Sequence, residues 1–402
     1  MTQPRSAKAR EQTQWRDLWH AQQQPVRAIV SLMALGSLWA EVGSWGPQML
    51  VPRIPIIPGL SLPPSLETTL WLGLSACCLG FGFTRAWRSC GAVFAALFMI
   101  AVMTNVNRLS PYWFNYLCLG GVLYFPQPPG HRDPNGWIRP TLTILGIQYL
   151  WAGINKINPG FLNGGFLWFT EPYIPSTQLP YWAIAGLMLS PLVEVCIGIG
   201  LLFRRTAIPA ACVGMVLHAV LLFLLGPLGR GYGPAVWSWN LGLLALLVLA
   251  ALKLRRKDTI WKPLNPLELA LVSVLAIIPV ANLFGNYMYF ASYRLYTMND
   301  TRGVLYLEEG VNPVVDHWRD TVVLEGGRQV SKIDLARWAV RSGVQTVYFD
   351  ATIFRRSFVQ LCPSDPERIA RLVIKHRWSW LGQPAPETVV CNESLKLPSS
   401  SR

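Results

Sequence analysis

The chain has 402 residues, of which 52% are hydrophobic and only 14% charged, with a formal charge of +14. An ordinary soluble domain carries roughly 25% charged residues, so these proportions exclude a water-soluble globular protein and point to a polytopic membrane protein. The positive charge does not indicate nucleic acid, because much of it lies in short loops between apolar segments.

Residues 1–25 read as a basic, Gln-rich cytoplasmic arm with Arg5, Lys8, Arg10 and Arg16. Trp15 and Trp19 are four apart, which suits one helical face on the membrane surface. The apolar stretch that follows is long enough to stay in the bilayer, so no cleaved signal peptide is expected. A transmembrane domain is predicted over 26–290. Its spans fall near 26–45, 68–84, 89–106 and a shorter 112–125, then along the helix from Thr141 to Lys156. Further spans lie near 181–203, 206–226, 234–252 and 267–290, about nine in all. The Pro47–Pro64 connector holds too many prolines for an uninterrupted helix and reads as an extended interfacial cover.

Alternating nine spans from a cytoplasmic N-terminus puts 16 basic residues on the cytoplasmic side. Only Arg53, Arg108, Arg230 and Lys156 fall opposite before the C-terminal region. That bias follows the positive-inside rule and makes residues 291–402 extracytoplasmic. This last region holds 15 basic and 12 acidic residues and reads as a small α+β domain. Strands are predicted at Gly303–Leu307, Thr321–Leu324 and Thr346–Phe349, and helices at Lys332–Arg341 and Pro366–Trp378. Cys362 and Cys391 are candidates to pair in an oxidising compartment. Asn299-Asp300-Thr301 and Asn392-Glu393-Ser394 match glycosylation sequons.

Three ionisable groups stand inside apolar segments. Lys156 ends the organising helix, where Gln148, Ala152 and Lys156 line up at i, i+4 and i+8, with Tyr149 and Asn155 beside them. It reads either as a desolvated amine able to take a proton or as a lysine that snorkels to the interface. Glu194 must be protonated, paired or wet at its depth, and pairing with Lys156 or His218 is the bland alternative. His218 suits either a proton shuttle or one fixing hydrogen bond. Asn105, Asn107 and Arg108 precede an aromatic entry that includes Asn115, and Trp237, Trp239 and Asn240 open a later span. Such rings could sandwich a quinone or serve as ordinary aromatic-belt anchors. The remaining histidines, His20, His131, His317 and His376, show no zinc spacing, and no metal is predicted.

The run Gln148-Tyr149-Leu150-Trp151-Ala152-Gly153-Ile154-Asn155-Lys156-Ile157-Asn158-Pro159-Gly160-Phe161-Leu162-Asn163-Gly164 resembles the signature helix of the HTTM family, the membrane domain shared with vitamin K-dependent gamma-carboxylase. Pro191-Leu192-Val193-Glu194 with the following Gly198-Ile199-Gly200, and His218 followed by Trp237-Ser238-Trp239-Asn240, are similar as well. The resemblance covers roughly residues 15–290 and is strongest over 141–245. It implies quinol-linked oxygenation or carboxylation chemistry with Lys156 as the base. Glu194 and His218 would be organising or proton-relay groups, and a reduced, vitamin K-like quinone would lie near Gln148, Tyr149, Asn155, Asn115 and Trp239. The chain departs from the carboxylase at Phe114-Asn115, where that enzyme has a histidine, at Asn155, where it has a second lysine, and in its much smaller outer domain. These departures weigh against carboxylation of a polypeptide. They keep open a second reading, a non-catalytic membrane scaffold or accessory subunit whose outer domain docks a protein partner. A transporter is disfavoured, since no paired broken helices or internal repeat is evident.

Overall fold

The computed structural model describes residues 5–45, 54–57, 59–124, 135–171, 173, 175, 178–231, 233–256, 261, 263–284, 293, 299–308, 321–325, 328–341, 350–362 and 370–391. Helix α1 (Arg5–Ala40) runs unbroken past Pro25, so the basic arm and the first apolar segment are one helix. The short α2 (Val42–Trp45) follows, then α3 (Pro64–Phe83), α4 (Trp87–Thr104), α5 (Pro111–Tyr124), α6 (Ile138–Lys156) and the single turn α7 (Pro159–Leu162). The bundle continues with α8 (Tyr181–Met188), α9 (Ser190–Leu202), α10 (Arg204–Leu225), α11 (Pro234–Leu254) and α12 (Pro266–Leu283). Pro64, Pro159, Pro191, Pro234 and Pro266 each occupy a first turn, where a missing N–H leaves nothing unsatisfied. Asn265 and Glu268 add a reciprocal capping box at the start of α12.

This is a polytopic helical membrane region. Among the described residues, α3, α4, α10, α11 and α12 are long and apolar enough to cross a bilayer, and α8 with α9, bent by 41° at their break, would make a sixth. Nine crossings are therefore not what length and apolarity alone support. At 14 residues α5 is short, α1 begins in polar sequence, and α6 carries amides and a lysine because protein surrounds it. Fifteen of the 19 residues of α6 are buried, so its polar groups face the protein interior rather than lipid.

The core of the bundle depends on small residues between α6 and α9. A Cβ at Gly198 would stand 2.6 Å from the Leu150 nitrogen, and one at Gly146 2.9 Å from the Gly198 carbonyl oxygen. Backbones can approach this closely only where side chains are missing, which is how helices associate without a hydrophobic drive between them.

Beyond the bundle lies a small α+β domain. Its five strands, β1 (Arg302–Glu308), β2 (Thr321–Glu325), β3 (Arg328–Asp334), β4 (Ala370–Lys375) and β5 (Glu387–Val390), pair antiparallel in the order β2-β3-β1-β4-β5. Helices α13 (Leu335–Arg341) and α14 (Ala351–Leu361) cover one face, where Trp338, Phe354 and Phe358 pack on Leu305, Ile333, Leu372 and Ile374. The strands expected at Gly303–Leu307 and Thr321–Leu324 are present. Two expected helices differ. Residues 332–334 belong to β3, and α13 starts only where Asp334 Oδ1 accepts the Ala336 N–H at 2.9 Å. The segment assigned to a helix at Pro366–Trp378 is a strand over Ala370–Lys375, because Leu372 and Ile374 alternate into the core while Lys375 stays exposed. The Asp365-Pro366 helix start, the 346–349 strand and the Asn392 sequon lie outside the described residues. Cys362 and Cys391 form a disulfide, with Cα atoms 5.5 Å apart, joining the ends of α14 and β5.

This domain sits on the end of the bundle where α6 terminates. Arg377 Nη2 donates to the Asn282 carbonyl at 3.0 Å, and the Trp380 N–H to that of Leu283 at 3.0 Å. Ile353 of α14 packs with Ile54 of the connector and Val106 beyond α4. The connector, the Lys156 end of α6 and the outer domain therefore share one side.

Candidate functional site

Lys156 lies in the last turn of α6 and Glu194 in the second turn of α9, and both are 7% exposed. The Lys156 ammonium donates to both carboxylate oxygens of Glu194, at 2.7 and 2.6 Å. The contact follows from the packing, since a Cβ at Gly153, one turn before Lys156, would come 3.0 Å from the Val195 nitrogen. The lysine does not snorkel. It turns inward to a carboxylate that the close helix crossing brings to it.

Two turns back on α6, Tyr149 faces α10. Its hydroxyl is bonded to His218 Nε2, and His218 Nδ1 meets Asn240 Oδ1 of α11 at 2.8 Å. The Asn240 amide nitrogen donates to the Val236 carbonyl at 2.8 Å, which fixes the amide with its oxygen toward the ring. His218 therefore carries its proton on Nδ1, and Nε2 accepts from Tyr149. Seven residues separate Tyr149 from Lys156, nearly two full turns, so the two groups share one face of α6. Asn155 is tied differently. Its side chain donates to the Trp151 carbonyl at 2.9 Å and accepts from Asn282 of α12 at 3.1 Å.

Two buried acceptors beside these groups have no partner among the described residues, Gln148 Oε1 and Asn282 Oδ1. Their chemistry fits a ligand that donates, as the hydroxyls of a reduced quinone do. The cleft at the end of α6, lined by Asn155, Asn158, Asn282, Arg377 and Trp378, has a volume of about 20 Å³, room for a single water. A quinol ring enters there only if the cleft widens.

Asn115 and Trp239 belong elsewhere. Asn115 of α5 donates to the Pro111 carbonyl at 3.0 Å. Trp239 packs edge-on against Tyr112 and tilted against Tyr116, with ring centroids at 5.4 and 5.5 Å. Trp239 and the two tyrosines thus line a contact between α5 and α11, and neither Asn115 nor Trp239 lines the cleft at the end of α6. They lead to a second polar centre, in which Arg108 meets Glu67 at 3.2 Å with both side chains 1% exposed. Arg108 also donates to Ser44 O and Thr104 Oγ1, each at 3.0 Å, and Glu41 accepts from the indole of Trp113 at 3.2 Å. Glu67 and Asn282 were not singled out from sequence. A glutamate in the first turn of an apolar helix reads as a helix-dipole partner, and an asparagine at the end of a span as an interfacial residue. The Asn299 sequon is engaged internally, its amide bridging the Trp378 carbonyl and N–H at 3.0 and 2.8 Å. No cluster of His, Cys, Asp and Glu able to hold a metal occurs among the described residues.

Comparison with family models, with curated proteins and with solved structures finds no match to the chain.

Proposed function

We propose that the chain is a membrane-embedded enzyme of the vitamin K-dependent carboxylase-like type, in which Lys156 acts as the base toward a reduced, lipid-soluble quinone. The reading rests on the Lys156–Glu194 pair, buried at 2.6–2.7 Å at the C-terminal end of α6. Passing one proton from the ammonium to Glu194 leaves a neutral amine and a neutral acid. No net charge is created in the bilayer, so the transfer avoids the cost of an isolated buried ion. The neutral amine is then free to take a proton from a donor. Asn155, held by Asn282, positions the end of α6, and Tyr149–His218–Asn240 supplies a second proton-carrying chain on the same helix face. When bound, a quinol would supply the reducing equivalents for activating oxygen, with Gln148 and Asn282 as acceptors for its hydroxyls.

The alternative is a non-catalytic scaffold whose outer domain docks a partner, and it is favoured by one observation. Both Lys156 and Glu194 already have a partner in place. We further infer nine crossings with a cytoplasmic N-terminus, α1, α5 and α6 being spans that the rest of the bundle shields. The 16-to-four charge bias supports this, as does the gathering of the connector, the Lys156 end and the C-terminal domain on one side.

The test is turnover in nanodiscs with reduced naphthoquinone, oxygen and bicarbonate, read by mass spectrometry beside Lys156→Ala. Quinone epoxide formed by the parent alone supports the enzyme. No lysine-dependent product from folded protein supports the scaffold.

A further inference from the structure

Among the described residues of the bundle, Arg27 and Arg108 are the buried arginines, and they are treated differently. Arg108 has Glu67. Arg27 of α1, 3% exposed, faces no carboxylate among the described residues, and its Nε has no partner. Its remaining contacts are a long 3.5 Å bond from Nη1 to the Phe81 carbonyl and a cation–π position 4.9 Å from the centroid of the Trp87 ring, neither of which neutralises its charge. Arg88 approaches the same ring at 5.1 Å. An unpaired buried guanidinium is costly unless an anion from outside the chain completes it.

A cavity of about 370 Å³ lies between α1, α3, α4 and α5, and Phe81, whose carbonyl meets Arg27, is part of its wall. Ser31, Cys78, Phe81, Gly91, Tyr116 and Tyr124 are among its lining residues, and the walls are otherwise apolar. Trp87 packs edge-on against two of the lining residues, Phe81 and Tyr124, at 5.9 and 6.2 Å, which places the indole and the arginines over it beside the cavity. Apolar space beside an indole and two cations matches the two halves of an amphiphile. Basic pockets between spans on the positively charged side bind acidic headgroups in this way.

We propose that the cavity and Arg27 form a binding site for an anionic phospholipid, its acyl chain in the cavity and its phosphate at Arg27 and Arg88. The phosphate belongs to a lipid rather than to free phosphate because the space beside the charge is apolar. This inference does not depend on the chemistry at Lys156.

The test is native mass spectrometry of the delipidated full chain, titrated with phosphatidylglycerol or phosphatidylcholine of matched chains. One phosphatidylglycerol should be retained, on the order of tenfold more tightly than phosphatidylcholine. Arg27→Met should erase that preference. Ala95→Trp, at an exposed lining position that leaves both arginines intact, should abolish retention of either lipid. Equal retention of the two lipids by the parent, an unchanged preference in Arg27→Met, or tight retention by Ala95→Trp would overturn the proposal.

Discussion

Gly198 of α9 lies against Leu150 of α6 so closely that a Cβ on the glycine would stand 2.6 Å from the leucine's backbone nitrogen. The crossing leaves no room to relieve such a clash, because the neighbour is main chain. Gly198→Leu should therefore push α9 away, separate Lys156 from Glu194 and destabilise the bundle by about 1–3 kcal/mol or more. Gly186→Leu is the control, since nothing lies within 4 Å of a Cβ there. Thermal unfolding in detergent should show a clear loss for the first and little change for the second. Equal stability would mean that this crossing does not set the pair.

The ion pair makes a second, non-additive prediction. Lys156→Met leaves Glu194 buried without a cation, and Glu194→Gln leaves the ammonium without its carboxylate. Each should cost about 3–5 kcal/mol, while the double variant Lys156→Met with Glu194→Gln should cost less than the sum of the two. A double-mutant cycle on unfolding free energy measures the difference. Additive costs would mean that the two groups do not interact in the folded protein.

In the outer domain, Arg355 bonds both oxygens of Glu387 at 2.7 and 2.5 Å and holds that carboxyl below its usual titration range. A depressed folded pKa adds stability above the unfolded value, and the gain disappears as pH falls through the lower folded one. Acid should thus weaken the domain in the parent more than in Glu387→Gln. Unfolding followed by Trp fluorescence between neutral and acidic pH checks this, and parallel curves would refute it.

The Cys362–Cys391 bond spans 29 residues. Closing a loop of that length restricts the unfolded chain by about 3–4 kcal/mol in the chain-entropy account. Reduction, or Cys362→Ser, should lower the unfolding midpoint of the outer domain and leave the bundle's unchanged. A midpoint insensitive to reductant would contradict the pairing.

How far these features are legible in the sequence depends on the range of the interaction. Gln148, Tyr149, Asn155 and Lys156 share a face through helical spacing alone, so their common placement on α6 can be read directly. The pairing of Lys156 with Glu194 stood among the alternatives but could not be chosen, because it depends on Gly146, Gly153 and Gly198 setting a helix crossing 38 residues away along the chain. Trp239 and Asn115 looked like ligand-sandwiching groups from composition. The Trp239 ring packs instead on Tyr112 and Tyr116 of α5, and the Asn115 amide bonds its own helix at Pro111, choices that only packing makes. Helix α14 is not among the expected elements, although Ile353, Phe354, Ser357, Phe358 and Leu361 fall at helical spacing behind an Asp350 cap that accepts the Thr352 N–H at 2.7 Å. Strand β4 departs from the expected helix because Asp365-Pro366 is a strong local start signal for a helix, while the period-two burial of Leu372 and Ile374 is short.

The most direct test of the central claim is the initial rate of quinone epoxide formation by Glu194→Gln in nanodiscs, beside the parent and Lys156→Ala. A coupled pair predicts that removing the carboxylate suppresses the rate as fully as removing the amine, with all three proteins folded. A Glu194→Gln protein as fast as the parent, or a parent no faster than Lys156→Ala, would contradict it.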